Sequence, residues 1–179
     1  MALNRLAESE AVTRAELIKA ARQLFISDGY DATQMTKIAV SAGVGPNAIY
    51  WYFADKDALL LAVLNEVLVE GLKEHEAREH LTAIEQLVWL VENLRHISQL
   101  VSVVHNRLTL SPQLREWHDR FHALLEGLIA ARMMADTQLA DVAIEARIAA
   151  YTIEGLISHG DDPQTIQRAC VALAKYCAA

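Results

Sequence analysis

Cysteine is nearly absent from this 179-residue sequence, with Cys170 and Cys177 the only two. Two thiols make no disulfide framework. On one helix they would stand about 10 Å apart along the axis, beyond the reach of an intrachain bridge, and they read as small apolar fillers. Proline and glycine are scarce too, at three and seven residues, which leaves little chain suited to turns and favours long helices. Long apolar runs are also missing. A stretch such as Ala58 to Leu64 falls far short of the roughly 20 residues a membrane-spanning helix needs. Met1 to Glu10 lacks the apolar segment of a signal peptide. A cytoplasmic protein with no membrane partner is therefore expected.

A basic excess is the last absence. Formal net charge is −7, which at first sight argues against a nucleic-acid partner. Its distribution softens that. Residues 1–56 hold Arg5, Arg14, Lys19, Arg22, Lys37 and Lys56 against Glu8, Glu10, Glu16, Asp28, Asp31 and Asp55. That segment is neutral, so the whole excess of acid falls in residues 57–179. Charge alone leaves DNA binding undecided. What the sequence does have is apolar surface: 53% hydrophobic against 22% charged residues, enough for a real core. Its length suits one compact domain or a small head on a larger body.

Hydrophobic periodicity predicts helices throughout. Residues 13–28 place Leu17, Ile18, Ala21, Leu24 and Phe25 at helical spacing, with Thr13 as N-cap and Gly29 as the stop. A short helix through Met35, Ile38, Ala39 and Ala42 stops at Gly43. A third is expected over about 46–53 with Ile49 inward, Pro46 fitting its first turn. Asp55 caps a long fourth helix reaching about His80. Residues 84–108 read as helix, in one or two pieces. Ser111-Pro112 marks a break before a helix over 112–135. The last two are expected over about 138–158 and 163–177, hinged at Ser158 to Pro163. The fold class is all-α.

Ala39, Gly43 and Ile49 stand in the spacing A-x3-G-x5-I. A helix-turn-helix needs a small residue where its helices cross, a residue tolerant of positive φ in the turn, and an apolar residue pinning the second helix. These three supply them in order, although tight corners also occur in purely structural bundles. The candidate reading helix starts with small and polar residues, as suits the end that enters a major groove. It continues into Tyr50-Trp51-Tyr52-Phe53. Phe53 reads as core. A helix cannot bury all three residues before it, so at least one of them points outward.

The runs Ala21-Arg22-Gln23-Leu24-Phe25, Gly29-Tyr30-Asp31-Ala32-Thr33, Lys37-Ile38-Ala39, Ala42-Gly43-Val44, Ile49-Tyr50-Trp51-Tyr52-Phe53 and Lys56-Asp57-Ala58-Leu59-Leu60 together resemble the N-terminal domain of the tetracycline-repressor (TetR) family. The match covers roughly residues 14–64. The resemblance implies a DNA-binding domain over residues 1–56, with an effector-binding and dimerisation domain over 57–179. It implies a transcriptional regulator, most often a repressor, released from a palindromic double-stranded operator by a small-molecule effector. Gln34, Thr36 and Lys37 would then touch DNA, and Gly45, Pro46 and Asn47 would read bases. Tyr50, Trp51, Tyr52 and Lys56 complete the surface, Tyr50, Tyr52 and Lys56 at phosphates. Two departures from the family pattern weaken the phosphate grip. Gln34 stands where a capping Ser or Thr is usual, and Ala48 where a phosphate-binding Thr or Ser is common. Thr33 is a candidate to take over the cap.

A head this small reads few base pairs, so specificity needs two copies. The resemblance implies pairing through the final helices, here a homodimer using Ile144, Ile148, Tyr151, Gly155, Ile166, Cys170 and Leu173. Residues 80–135 read as the effector region. There Trp89, His96, His105, Trp117, Phe121, His122 and Met133 supply aromatic, titratable and adaptable apolar surface. For any single one of them core is the better reading, so the expectation is of a region more than of residues. The resemblance further implies that a ligand tilts the fourth helix and so changes the separation of the two reading helices.

His118 and His122, at i and i+4, have the spacing of a chelating pair. No third ligand is evident in the sequence, so a solvated or core-edge pair is the preferred reading, with no metal and no cofactor. No Ser/His/Asp arrangement, Gly-rich phosphate loop or nucleophile elbow appears, and an enzyme is not expected. The remaining alternative is a helical structural protein whose head no longer binds DNA.

Overall fold

The computed structural model describes residues 2–136, 142–159 and 162–177, and among these the side chains other than 2–9, 83, 133–136, 174, 176 and 177. The described residues are all helical, as expected: α1 (Ala2–Ser27), α2 (Met35–Ser41), a 3-10 turn (Ala48–Trp51), α3 (Lys56–Glu76), α4 (Ala83–His96), α5 (Ser98–Arg107), α6 (Pro112–Asp136), α7 (Val142–Ser158) and α8 (Pro163–Cys177). None of these helices is long and apolar enough to cross a membrane. The chain divides into two compact units, Met1–Leu72 and Lys73–Ala179. The division falls inside α3 because Leu59, Leu60, Val63 and Leu64 are buried in the first unit.

The first unit is closed by Leu17, Ala21 and Phe25 of α1, Ile38 and Ala39 of α2, and Ile49, all fully buried. Helix α1 begins well before residue 13, so Thr13 lies inside it and is not its cap. The Ala, Leu, Arg and Glu residues ahead of it are good helix formers that carry the helix back toward the N-terminus. Gly29 follows α1 with φ +86°. Thr33, also buried, donates its hydroxyl to the carbonyls of Gly29 (2.7 Å) and Leu24 (3.2 Å). It therefore seals the C-terminal end of α1 and does not cap α2. Gln34 occupies the α2 cap position with no side-chain cap bond.

Helix α2 ends in a Schellman motif: Val44 N–H donates to the Ala39 carbonyl and Gly43 N–H to that of Val40, both at 3.0 Å. Gly43 takes φ +73°, the left-handed conformation that a Cβ opposes. A Cβ there would meet no neighbour within 4 Å, so φ alone decides the effect of a substitution. Gly43→Ala should cost about 1 kcal/mol of stability. Gly45→Ala, where space is also open and φ is not positive, should be nearly silent. Paired thermal melts of the two variants check this.

The expected helix over 46–53 is shorter and tighter. Its bonds run Ala48 to Gly45, Tyr50 to Asn47 and Tyr52 to Ile49, a 3-10 pattern, with only Phe53 to Ile49 closing an α-type turn. The run from Ile49 to Phe53 is β-branched and aromatic, types that lose χ1 freedom in an α-helix. Asp55 caps α3 as expected, its carboxylate accepting from Ala58 N–H at 2.8 Å. That helix stops at Glu76, short of His80.

The second unit is a bundle of α4 to α8. Its core joins Val91 of α4, Ile153, Leu156 and Ile157 of α7, and Ile166 and Cys170 of α8. Residues 84–108 form two helices, with Ile97 as the joint. Ser111 is buried and accepts from Leu114 N–H (3.4 Å) at the start of α6. Asp162 accepts from the N–H groups of Gln164 (2.9 Å) and Thr165 (3.1 Å), starting α8 with Pro163 in its first turn. The expected 138–158 helix is seen from Val142; residues 138–141 lie outside the described set.

Candidate nucleic-acid interface and effector region

Ile49 and Phe53, 0% and 4% exposed, anchor the segment after Gly43. In a 3-10 turn, residues three apart eclipse one another, so Tyr52 shares the side of Ile49 and is half-buried. Tyr50 and Trp51 point away, at 50% and 87% exposure. Gly45, Pro46 and Asn47 are exposed beside them, as are Gln34, Thr36 and Lys37 at the start of α2. The three-residue periodicity therefore separates anchor from display. One contiguous stretch of chain presents backbone, amide, hydroxyl and indole groups on a base held by buried residues.

The two lysines are less free than the sequence implied. Lys37 Nζ lies 2.5 Å from Asp28 Oδ2, and this partner holds the Asp28 carboxyl below its ordinary range. Both groups are solvent-facing, so the pair is easily exchanged for a phosphate. Lys56 Nζ donates to the carbonyls of Tyr30 (2.7 Å) and Thr33 (3.1 Å) and sits 4.2 Å from the Tyr30 ring centre. Replacing Lys56 would therefore loosen the 30–33 connector as well as any phosphate contact. Tyr30 hydroxyl donates to Asp57 on the same helix, and Arg14 lies over the Phe53 ring. These contacts tie α1, the connector and α3 together.

In the second unit the expected effector residues separate. Trp89 stacks with His75 and lies under Arg78. His96 is exposed and its Nδ1 approaches the Glu92 carbonyl. The Met133 side chain lies outside the described residues. Trp117 and Phe121, one turn apart on α6, stack at 5.4 Å with planes 7° apart. Beside them His105, His118 and His122 converge. His118 Nε2 is 3.2 Å from His105 Nε2, and the His118 and His122 ring centres are 4.3 Å apart.

Glu154 of α7 completes this cluster, with Oε1 2.9 Å from His122 Nε2 and 3.4 Å from His105 Nε2. The nearby imidazoles, His105 foremost and then His122, pull the Glu154 carboxyl down to about 2. Its carboxylate in turn raises His122, while burial lowers His118. His122 Nε2 is buried, and the Glu154 carboxylate is the charged group against it. Sequence reasoning found the three histidines and missed Glu154. Its only signal was an acid set between the apolar residues Ile153 and Leu156 of α7.

Of the residues expected to pair two chains, Ile144, Ile148 and Tyr151 are 50%, 42% and 59% exposed. With half-buried Gly155 they form one stripe along α7 at steps of four, three and four. Ile166, Cys170 and Leu173 are instead buried in their own chain. Ile166 and Cys170 are spent on the core with α4 and α7, and with Leu173 8% exposed none of the three presents a surface in the single chain.

Residues 17–63 match the family described as bacterial regulatory proteins, tetR family. The chain is 32% identical over 120 residues to the HTH-type transcriptional regulator TtgR of Pseudomonas putida, covering 67% of this chain and 54% of that protein. It is 28% identical to the fatty acid metabolism regulator protein of Bacillus subtilis, covering 64% and 61% respectively. The chain thus spans little more than half the length of these curated relatives. Among solved structures, a transcriptional regulator from Rhodococcus sp. superposes with a TM-score of 0.80 at 16% identity, covering 92% of this chain and 95% of that one. A transcriptional regulator from Saccharomonospora viridis in complex with choline gives 0.74 at 22%, covering 94% and 97%. At such identities the likeness is one of fold.

Proposed function

The chain belongs to the tetR family of bacterial regulatory proteins, and on that premise we propose that it is a dimeric DNA-binding transcriptional regulator, a repressor released from a palindromic operator by a small effector. The observation that carries this reading is the outward display of Gly45, Pro46, Asn47, Tyr50 and Trp51 over buried Ile49 and Phe53. Residues 1–56 read DNA, and residues 57–179 sense and pair. The protein works in the cytoplasm, where its operator is. The relatives are named as regulators, and no catalytic role is assigned.

Asn47 reads base edges, with Gly45 and Pro46 allowing close approach. Gln34, Thr36, Lys37, Tyr50 and Tyr52 hold backbone phosphates, with Trp51 alongside. The α7 stripe meets its own copy across a two-fold axis. Trp117, Phe121, His105 and His122 line the effector site. An effector releases DNA by binding the non-reading arrangement of the dimer more tightly than the reading one.

The test is binding to duplexes taken from the DNA flanking the protein's own gene, followed by fluorescence anisotropy across a salt series. Affinity should fall steeply with salt. Lys37→Ala should weaken all sequences alike and reduce the salt slope by about 1, whereas Asn47→Ala should relax preference at one base position by about 1–3 kcal/mol. Salt-insensitive binding, or none to any flanking fragment, overturns the reading.

A further inference from the structure

His118 and His122 lie on α6, His105 on α5 and Glu154 on α7, so three helices deliver three imidazoles and one carboxylate to one point. One ligand atom from each of the four lies within 4.8 Å of all the others. We propose that His105, His118, His122 and Glu154 form a binding site for a divalent transition-metal ion of the zinc class.

The distances suit such an ion. With zinc–ligand bonds of about 2.0–2.1 Å in a tetrahedral site, neighbouring donor atoms stand about 3.3 Å apart. The observed edges are 3.2 Å between the Nε2 atoms of His105 and His118, 3.4 Å from His105 to Glu154, and 2.9 Å from His122 to Glu154. Small rotations of the side chains convert these into a closed set. The i, i+4 pair on α6 is held by its helix, and the other two donors come from helices packed against it. Most of the site is therefore in place before an ion arrives.

The donor chemistry selects the class. Three imidazole nitrogens and one carboxylate oxygen favour zinc, cobalt, nickel or copper over magnesium or calcium, which prefer all-oxygen shells. Ligating imidazoles must be neutral and the carboxylate ionised. A metal-bound imidazole commonly directs its other ring nitrogen at a carboxylate, and His118 Nδ1 lies 3.4 Å from Asp119 Oδ1. The Nε2 atoms of His105 and His118 face each other at 3.2 Å and His122 Nε2 faces Glu154 Oε1 at 2.9 Å, so all three imidazoles aim a ring nitrogen at one point where a cation would accept their lone pairs. The side chains remain 13–35% exposed, leaving a path for entry.

As the identity of the effector, the metal rests on the regulator reading above; as a binding site it does not. The two are tested separately. Full-length, tag-free protein stripped by chelator and titrated with Co2+ in the absence of DNA should give the visible bands of a tetrahedral site, saturating at one ion per chain and displaced by Zn2+. Replacing His118 or His122 by Gln, or Glu154 by Gln, should weaken binding by more than the 10–100-fold typical of losing an outer partner. Should those variants fail to fold, Asp119→Asn, whose side chain is 71% exposed, serves instead and should weaken binding about 10-fold. Wild-type spectra indistinguishable from those of the His118→Gln, His122→Gln double variant, or an unchanged affinity in Asp119→Asn where the double variant is unfolded, overturn the site. Operator anisotropy with and without Zn2+ decides its role. A shift abolished by His122→Gln supports the metal as effector, and unchanged affinity at a saturated site overturns that role alone. Failure to bind DNA in any state, with Co2+ still bound, overturns the regulator reading and leaves the site standing.

Discussion

Ile148→Asp should convert the protein to a monomer and remove most of its operator affinity while leaving the chain folded. Ile144, Ile148 and Tyr151 occupy the exposed face of α7, whereas Ala146, Ala149, Ala150 and Ile153 of the same helix are buried. Single exposed apolar residues are ordinary, but three in register on one helix make a patch. In the proposed two-fold pairing the stripe opposes itself, so one substitution introduces two carboxylates. An unpaired charge buried at a contact costs about 3–5 kcal/mol, a factor on the order of 10²–10⁴ in dimer affinity. Losing the second head also removes an avidity gain of about 10²–10⁴. Ile148 is 42% exposed in the single chain, so the melting of the monomer should change by no more than about 0.5 kcal/mol. Sedimentation and operator anisotropy read the two effects. A variant that sediments as the wild type does and binds operator equally well would place the pairing surface elsewhere.

Phe25→Ala should be the most damaging change in the first unit. Its ring is 0% exposed and packs at a tilt 5.1 Å from Tyr30, the residue whose carbonyl and ring engage Lys56. Emptying such a site costs about 3–5 kcal/mol in lost transfer energy and cavity formation. For a unit of this size that corresponds to a fall of about 15 °C or more in the melting temperature. Trp51→Ala, at 87% exposure, is the counterpart. It should leave stability within about 0.5 kcal/mol, so that any loss of DNA affinity reports contact and not folding. Thermal unfolding followed by circular dichroism separates the pair. A Phe25→Ala protein melting within a few degrees of wild type would mean that the neighbouring side chains collapse into the space.

Local signals were read well where the chemistry is local. Gly29 and Gly43 end helices because the chain needs positive φ there, and Asp55 starts α3 with a side-chain cap. Ala39, Gly43 and Ile49 take the places their spacing implied, two buried and one in the turn. The errors came where two local options compete. Thr33 had a choice of backbone partners, and burial against α1 sent its hydroxyl to Gly29 and Leu24. The segment after Gly43 kept its position but tightened into a 3-10 turn, which is why Tyr52 sits inward while Tyr50 and Trp51 face out.

Periodicity, turn residues and caps were enough, from the amino acids alone, to specify an all-helical chain with a tight helical corner at Gly43, because each depends on neighbours within a turn or two. Which apolar face of α7 or α8 meets the core was not legible. Both helices carry apolar residues on more than one side, and only packing against α4 and α7 turned Ile166 and Cys170 inward. The convergence of His105, His118, His122 and Glu154 is likewise a product of tertiary structure. Residues on three helices meet only when the rotation and offset of each helix are set by the whole bundle, and no spacing in the sequence carries that information.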